Sequence, residues 1–275
     1  MNESQHDQKY LFTMSRAKCY TINGFSKEHT GGNPACVIPL EEWLESDYMQ
    51  AIAKEMGVAE TAFFVPEKDG FTLRWFTPDL EIDLCGHATL ATAHCIKTHL
   101  GYGAPIIKFY SKSGELSVRL EQNQYVLDFP SRPGAPSDLP ETIVKALSHQ
   151  PFEVYKARDY LLIYHQQEDV EALTVDRAIF DQINLGTGGV IVSAPGASHD
   201  FVSRFFTPQA TILEDPVTGS AHCTLTPYWA KRLKKQSLSA RQCSARGGEL
   251  QCFDQGDRVL ISGHAVTTHE SSIQL

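Results

Sequence analysis

The sequence predicts an α+β fold made of two related domains that face each other. Three observations predict it. Short strand patterns dominate and do not alternate regularly with helices, which argues against a doubly wound sheet or barrel. The stretch "RWFTP" at 74–78 returns as "RFFTP" at 204–208. Each copy then runs through a variable stretch into a glycine that opens an apolar segment. Gly86 opens the segment in "CGHATLATAHC", and Gly219 does so in "DPVTGSAHCTL". Repetition of strand, loop and helix is the mark of a duplicated unit. The expected division is 15–123 and 124–265, with the C-terminal strand a candidate to complete the first domain. Residues 1–14 read as a disordered leader.

The elements follow in order. "AKCYTINGF" alternates and predicts a strand, and "GGNPACVIPL" a turn and an apolar run. "SDYMQAIAKEMG" has helical spacing, with Ser46 as the expected N-cap and Gly57 just past the end. "TAFFVPE" and "FTLRWFTP" are strands, and "GHATLATAHCIKTHLG" is a helix closing on Gly101. "IIKFYSKSGELSVRLEQNQYVLDFP" reads as three strands with tight turns. A short helix in "LPETIVKALSH" and two strands in "FEVYKARDYLLIYHQ" come next. "DVEALTVDRAIFDQI" is helical in pattern. "GGVIVSAP", "DFVSRFFTP" and much of the tail predict strands. Pro227 is awkward in the last helix, which it should kink unless it falls in the first turn.

Bulk properties exclude several functions. The 275 residues carry a formal charge of −9, which argues against nucleic acid or an anionic membrane as the main partner. No apolar run approaches the roughly 20 residues of a membrane span. The N-terminal residues lack an apolar signal core, so a cytoplasmic location is expected. The seven cysteines show no C-x-x-C spacing and are expected to be reduced, mostly as small buried groups. No nucleotide-binding glycine fingerprint occurs, so no cofactor is expected.

"EDPVTGSAHC" at 214–223 suits a helix start, because small and polar residues crowd where a helix leaves backbone N–H groups free. If both copies present such a start to one cleft, their donors converge on it. The donors of 218–221 would hold a carboxylate or carbonyl oxygen of a small substrate and stabilise charge that develops on it. The adjacent acids would move protons. The plainer alternative is that Thr218 and Ser220 only cap a helix.

"GGNPACVI", "AETAFF", "RWFTPDLEIDLCGHATLATAH", "EDPVTGSAHCTLTPYWA" and "SARGGEL" together resemble the PhzF-like family, the phenazine-biosynthesis isomerases and their relatives. The resemblance runs from about Lys18 to about Val266. It implies the diaminopimelate-epimerase fold, in which two pseudo-symmetric domains each wrap a curved, mostly antiparallel sheet around a central helix. It also implies proton transfer on a small amino- or hydroxy-carboxylic acid, with no cofactor or metal. The implied acid/base is Glu60 of "AETAFF", with His87 of "CGHAT" and Asp215 of "EDPVTGS" beside it. Ser220 is the implied substrate-binding residue, and Gly86, Thr218 and Gly219 join it as residues of the two expected helix starts. A homodimer is expected on the resemblance alone.

The residues carry their own arguments. Glu60 stands between "GVA" and "TAFFV", a poor place for a solvated acid and a good one for a proton carrier. His87 follows Gly86 at a predicted helix start, which should favour its neutral form. Asp215 precedes Pro216, poised to cap or to act. Asn33 in "GGNPA" can donate to substrate or hold a turn. Epimerases of this fold that use two thiols place one at each helix start, but Cys85 and Cys223 are out of register. Cys85, His87, His94 and Cys95 would point to different helix faces, so a closed zinc site is not expected. The tail "HESSIQL" departs from the family and puts the pairing of the last strand in doubt. A catalytically silent relative that binds a metabolite or protein is the competing reading.

Overall fold

The computed structural model describes residues 16–275, so the expected leader at 1–14 lies outside the described residues. The first copy of the pattern holds strands β1 (Arg16–Gly24), β2 (Asn33–Pro39), β3 (Glu60–Glu67), β4 (Gly70–Phe76), β5 (Glu81–Ile82), β6 (Ile106–Ser111), β7 (Gly114–Glu121) and β8 (Gln124–Pro130). Helix α1 (Ser46–Met56) follows β2, and α2 (Gly86–Thr98) follows β5. The second copy holds β9 (Ala135–Pro136), β10 (Glu153–Lys156), β11 (Tyr160–Ile163), β12 (Val190–Pro195), β13 (Phe201–Phe206), β14 (Glu214–Asp215), β15 (Ser237–Gln242), β16 (Gly248–Asp254) and β17 (Arg258–Gly263). Its helices are α3 (Glu141–Ala146), α4 (Gln167–Ala172), α5 (Arg177–Phe180) and α6 (His222–Leu233). Strand β18 (Ala265–Gln274) ends the chain.

The pairings show the duplication directly. β2 lies parallel to β3, β3 antiparallel to β4, β4 parallel to β6, and β6, β7 and β8 follow antiparallel. β11, β12, β13, β15, β16 and β17 repeat that order and those directions step for step. β8 and β17, the equivalent strands of the two copies, pair with each other. β18 runs antiparallel to β1 from Ala265 opposite Gly24 to Gln274 opposite Arg16, so the unusual tail keeps a full strand.

The echoed pentapeptides have the same local structure for the same reason. Arg74 Nε donates to Glu81 across β4–β5 at 2.8 Å, and Arg204 Nε to Glu214 across β13–β14 at 2.7 Å. Each guanidinium also lies over the phenylalanine two residues on, Phe76 or Phe206. Each threonine N–H then closes a turn, Thr77 onto Leu80 O and Thr207 onto Leu213 O.

Helix α2 is buried nearly all round, as a helix wrapped by a sheet must be, and it contacts β1, β2, β3, β8 and β18. Helix α6 contacts β15, β16 and β17 in the same way. Among the described residues no helix is long and apolar enough to cross a membrane.

Four expectations change. Glu45, not Ser46, is the N-cap of α1, because the Ser46 hydroxyl accepts from Arg74 Nη2 at 2.8 Å. The helix read in 169–183 is two short helices. Arg204 Nη1 takes the carbonyls of Val170 and Leu173 at the end of α4, and Asp176 caps α5 by accepting from Ala178 N and Ile179 N. Pro227 lies inside α6, past the first turn. The carbonyl it leaves without a helical donor, Cys223 O, accepts instead from Arg132 N at 2.8 Å. Finally, Cys19 and Cys36 are joined as a disulfide between β1 and β2, where reduced thiols were expected.

Candidate active site

The loops after β4 and β13 and the starts of α2 and α6 enclose one cavity of about 390 Å³. Glu60, Cys85, Gly86 and His87 line it from the first copy, and Arg158, Asp215, Thr218, Gly219 and Ser220 from the second. Pro78, Leu80, Ile82, Leu84, Phe205 and Ile212 add an apolar wall. Across the mouth, Asp79 accepts from Thr211 N at 2.7 Å and from Thr211 Oγ1 at 2.8 Å, joining the two echoed loops.

Gly86 opens α2, Gly219 opens the 3₁₀ turn Gly219–Ala221 that leads into α6, and these two starts touch. A Cβ added at Gly86 would lie 2.5 Å from Gly219 Cα, and one added at Gly219 would lie 2.7 Å from Gly86 Cα. Only glycine allows that approach, and it aims both sets of first-turn N–H groups at one space. The donors of 218–221 are not all free, however. Thr218 N donates to Gln242 Oε1 at 2.7 Å, and Ala221 N to Thr218 O at 3.2 Å. Gly219 and Ser220 line the cavity together with Gly86 and His87.

Glu60 begins β3, opposite Ala35 of β2, and is 9% exposed. Its Oε2 lies 3.0 Å from Nε2 of His87, which is 1% exposed. The two atoms meet as a buried ion pair rather than as an aligned hydrogen bond. On its other side, His87 Nδ1 lies 3.0 Å from Asn33 Nδ2 and 3.5 Å from Cys85 Sγ. With the amide donating to Nδ1, the ring proton sits on Nε2, towards Glu60. A second proton, on Nδ1, has the Cys85 sulfur to face.

Asn33 is wholly buried and stands behind the cavity wall. Its Nδ2 has two hydrogens for three acceptors within reach, Asp215 Oδ1 at 2.6 Å, Val217 O at 3.0 Å and His87 Nδ1 at 3.0 Å, so it stands between His87 and Asp215 across the two copies. In the structure it bridges His87 and the 215–217 turn. The Thr218 hydroxyl donates to Asp215 Oδ2 at 2.5 Å. Ser220 Oγ accepts from Arg158 Nη2 at 3.1 Å, which leaves the serine hydrogen for another acceptor.

The electrostatics follow from burial and from the crowding of acids. Burial and the Glu60 charge push the Asp215 carboxyl up to about 7, against His87, Thr218 and Asn33. Burial pushes His87 down, but Cys85 and Glu60 more than offset it and hold the imidazole well above its ordinary range. This corrects the expectation that the helix start would favour the neutral ring. Burial and Glu60 push the Cys85 thiol up to about 11.

Sequence reasoning missed Arg158, held by Asp159 at 2.9 Å and by Asp83 at 3.6 Å, and Gln242, which fixes the 215–218 turn. Arg158 stands just before a predicted strand and could have been noticed there; Gln242 gave no signal. Cys85 was set aside as out of register for a thiol pair, yet it lines the cavity. His94 does point elsewhere, bonding Tyr125 and Thr267, so the four-residue zinc set is not assembled.

A duplicated α+β fold whose two central helices start face to face over one cleft is the architecture of the diaminopimelate- and proline-epimerase-like proteins. A hydroxyproline epimerase from Agrobacterium vitis superimposes with a TM-score of 0.66 at 10% identity, covering 94% of this chain and 93% of that one, a likeness of fold alone. Within that class the chain belongs to the PhzC-PhzF family of phenazine biosynthesis-like proteins, whose model matches residues 22–271. It is 46% identical over 259 residues to an uncharacterized isomerase of Pseudomonas aeruginosa, covering 93% of this chain and 98% of that one. It is 38% identical over 283 residues to a phenazine biosynthesis-like domain-containing protein of Bos taurus, covering 92% of this chain and 98% of that one. A PhzF-family protein from Enterococcus faecalis matches with a TM-score of 0.87 at 42% identity, covering 95% of this chain and all of that one.

Proposed function

We propose that the protein is a cofactor-independent isomerase or epimerase that moves a proton on a small amino- or hydroxy-carboxylic acid. One observation carries the reading. A buried carboxylate and a buried imidazole, Glu60 and His87, meet at 3.0 Å on the cavity wall beside two touching glycines. The names of the Pseudomonas relatives, both isomerases, and the epimerase fold agree with it.

In this reading the substrate carboxylate sits between the N–H groups of Gly86 and His87 and those of Gly219 and Ser220. Those donors and the Ser220 hydroxyl stabilise the charge that develops when an adjacent C–H bond ionises. Glu60 takes the proton and delivers it to the new position, and His87 holds Glu60 in place. Asp215, with a carboxyl near 7, orients the substrate's amino or hydroxyl group and can exchange a proton with it. Such acid–base steps contribute about 10²–10⁴-fold in rate.

A screen of small amino and hydroxy acids with the protein in D₂O tests the reading. At least one should gain deuterium at carbon, seen by mass spectrometry. A panel that binds in the cleft without any exchange would favour a silent binding protein instead.

A further inference from the structure

The cavity that is to hold an acid is itself lined by acids, Glu60, Asp79 and Asp215. Among the described residues that line it, Arg158 is the only arginine or lysine. An anion entering this space has one fixed positive charge to meet.

Arg158 is held from one edge. Its Nε donates to Asp159 Oδ1 at 3.1 Å, and its Nη2 to Asp159 Oδ2 at 2.9 Å. Asp159 is buried and also accepts from Gly189 N at 2.9 Å, which anchors the pair ahead of β12. The second Nη2 hydrogen goes to Ser220 Oγ at 3.1 Å. Nη1 carries two more hydrogens, and the acid beside it, Asp83 Oδ1, is 3.6 Å away, beyond a normal hydrogen bond. Asp83 is shared with Arg132, whose Nη2 lies 3.3 Å from Oδ2. The guanidinium is planar, and Asp159 takes its Nε edge. One Nη1 hydrogen therefore runs parallel to the Nη2 hydrogen that Ser220 accepts. The Ser220 hydroxyl, having accepted from Arg158, has its own hydrogen to give. These two spare donors lie side by side.

We propose that Arg158 is a specificity-determining residue: with the Ser220 hydroxyl that it orients, it selects a carboxylate over an uncharged group of the same shape. Asp159 is the positioning residue behind it. That the selected carboxylate belongs to a substrate rests on the function proposed above. The selection itself needs no turnover.

The test uses the full chain and two probes of one shape, hexanoate and hexanamide, at pH 7, where only the first is charged. Ligand-detected NMR gives both Kd values. Wild type should hold hexanoate at least about 10-fold more tightly, since charge-assisted hydrogen bonds are about twice as strong as neutral ones. Arg158→Gln should lose most of that preference by weakening hexanoate, with hexanamide little changed. Arg158→Lys keeps the charge but not the fork and should fall between the two. Because Arg158→Gln leaves Asp159 buried and unpaired, Arg158→Gln with Asp159→Asn is measured as well. That pair strands no charge, and Asn keeps an oxygen for Gly189 N. Circular dichroism confirms that each variant is folded. A folded single or double variant that keeps the full preference, or a wild type that shows none, would overturn the proposal. On an acid that exchanges deuterium, Arg158→Gln should raise KM more than it lowers kcat, and the reverse split would overturn a selective role. If no acid exchanges, the catalytic reading falls while the carboxylate preference stands on its own result.

Discussion

Gly86→Ala should destabilise the protein through one contact. The new Cβ would lie 2.5 Å from Gly219 Cα and 3.0 Å from its carbonyl carbon. Carbon atoms pack at about 3.5–4.0 Å, so one helix start must retreat by roughly 1 Å. Its own helix and wrapping sheet resist that movement, and overpacking of this kind costs about 1–3 kcal/mol. At about 2–4 °C per kcal/mol for a chain of this size, Tm should fall by about 2–12 °C. Gly103→Ala is the control, because its added Cβ meets nothing within 4 Å and its φ is not positive. That change should be neutral, or stabilising by up to about 1 kcal/mol through the unfolded chain. Thermal unfolding followed by circular dichroism distinguishes the two. Gly219→Ala strains the same contact, so the double variant should not lose the sum of the single losses. If Gly86→Ala unfolds within about 1 °C of Gly103→Ala, the helix starts are not in contact, and the shared donor site they form is lost with them.

Other outcomes follow from the same network. Folded Asp215 stands at about 7, above its ordinary 3.8, so the native state holds a proton that the unfolded chain releases. That stabilisation is complete below the lower value and is lost as pH rises through the upper one, at up to about 1.4 kcal/mol per pH unit. Asp215→Asn cannot titrate, so its denaturant midpoint should gain on the wild type as pH is raised from about 5 to about 8. Asn33→Ala should cost about 1–3 kcal/mol in chemical unfolding, because it strips the donor from buried Val217 O and from Asp215. Asp79→Ala removes an exposed pair of hydrogen bonds, so stability should change by less than about 1 kcal/mol. Stopped-flow release of a cleft ligand should nevertheless become faster.

Much of the fold was legible because duplication repeats its own evidence. Arg74 and Arg204 each need a carboxylate and a phenylalanine face, and both sets recur at matching places in the chain. Gly86 and Gly219 were legible as helix starts, but that they touch was not, since contact between the two copies depends on the sheets that carry them. Pro227 looked like a problem because its compensation, the Arg132 N–H, comes from a segment about a hundred residues away in the chain. The break between α4 and α5 was hidden for a similar reason: a distant arginine ends one helix while a local aspartate starts the next. In the site, Glu60, His87 and Asp215 were readable as residues. The neighbours that hold them were not: Asn33 and Thr218 bond Asp215 through contacts that span the two copies or close a turn, and neither is visible in a linear pattern.

The most direct test of the account compares wild type with Glu60→Gln on one acid that exchanges in D₂O. Gln keeps the shape and one oxygen of the side chain, so the ligand still docks against the two helix starts. It cannot accept a proton, so deuterium uptake at the substrate carbon should fall by about 10²–10⁴-fold while calorimetric Kd stays within a few-fold. Exchange at the wild-type rate in Glu60→Gln would contradict the account and move the proton to Asp215 or His87.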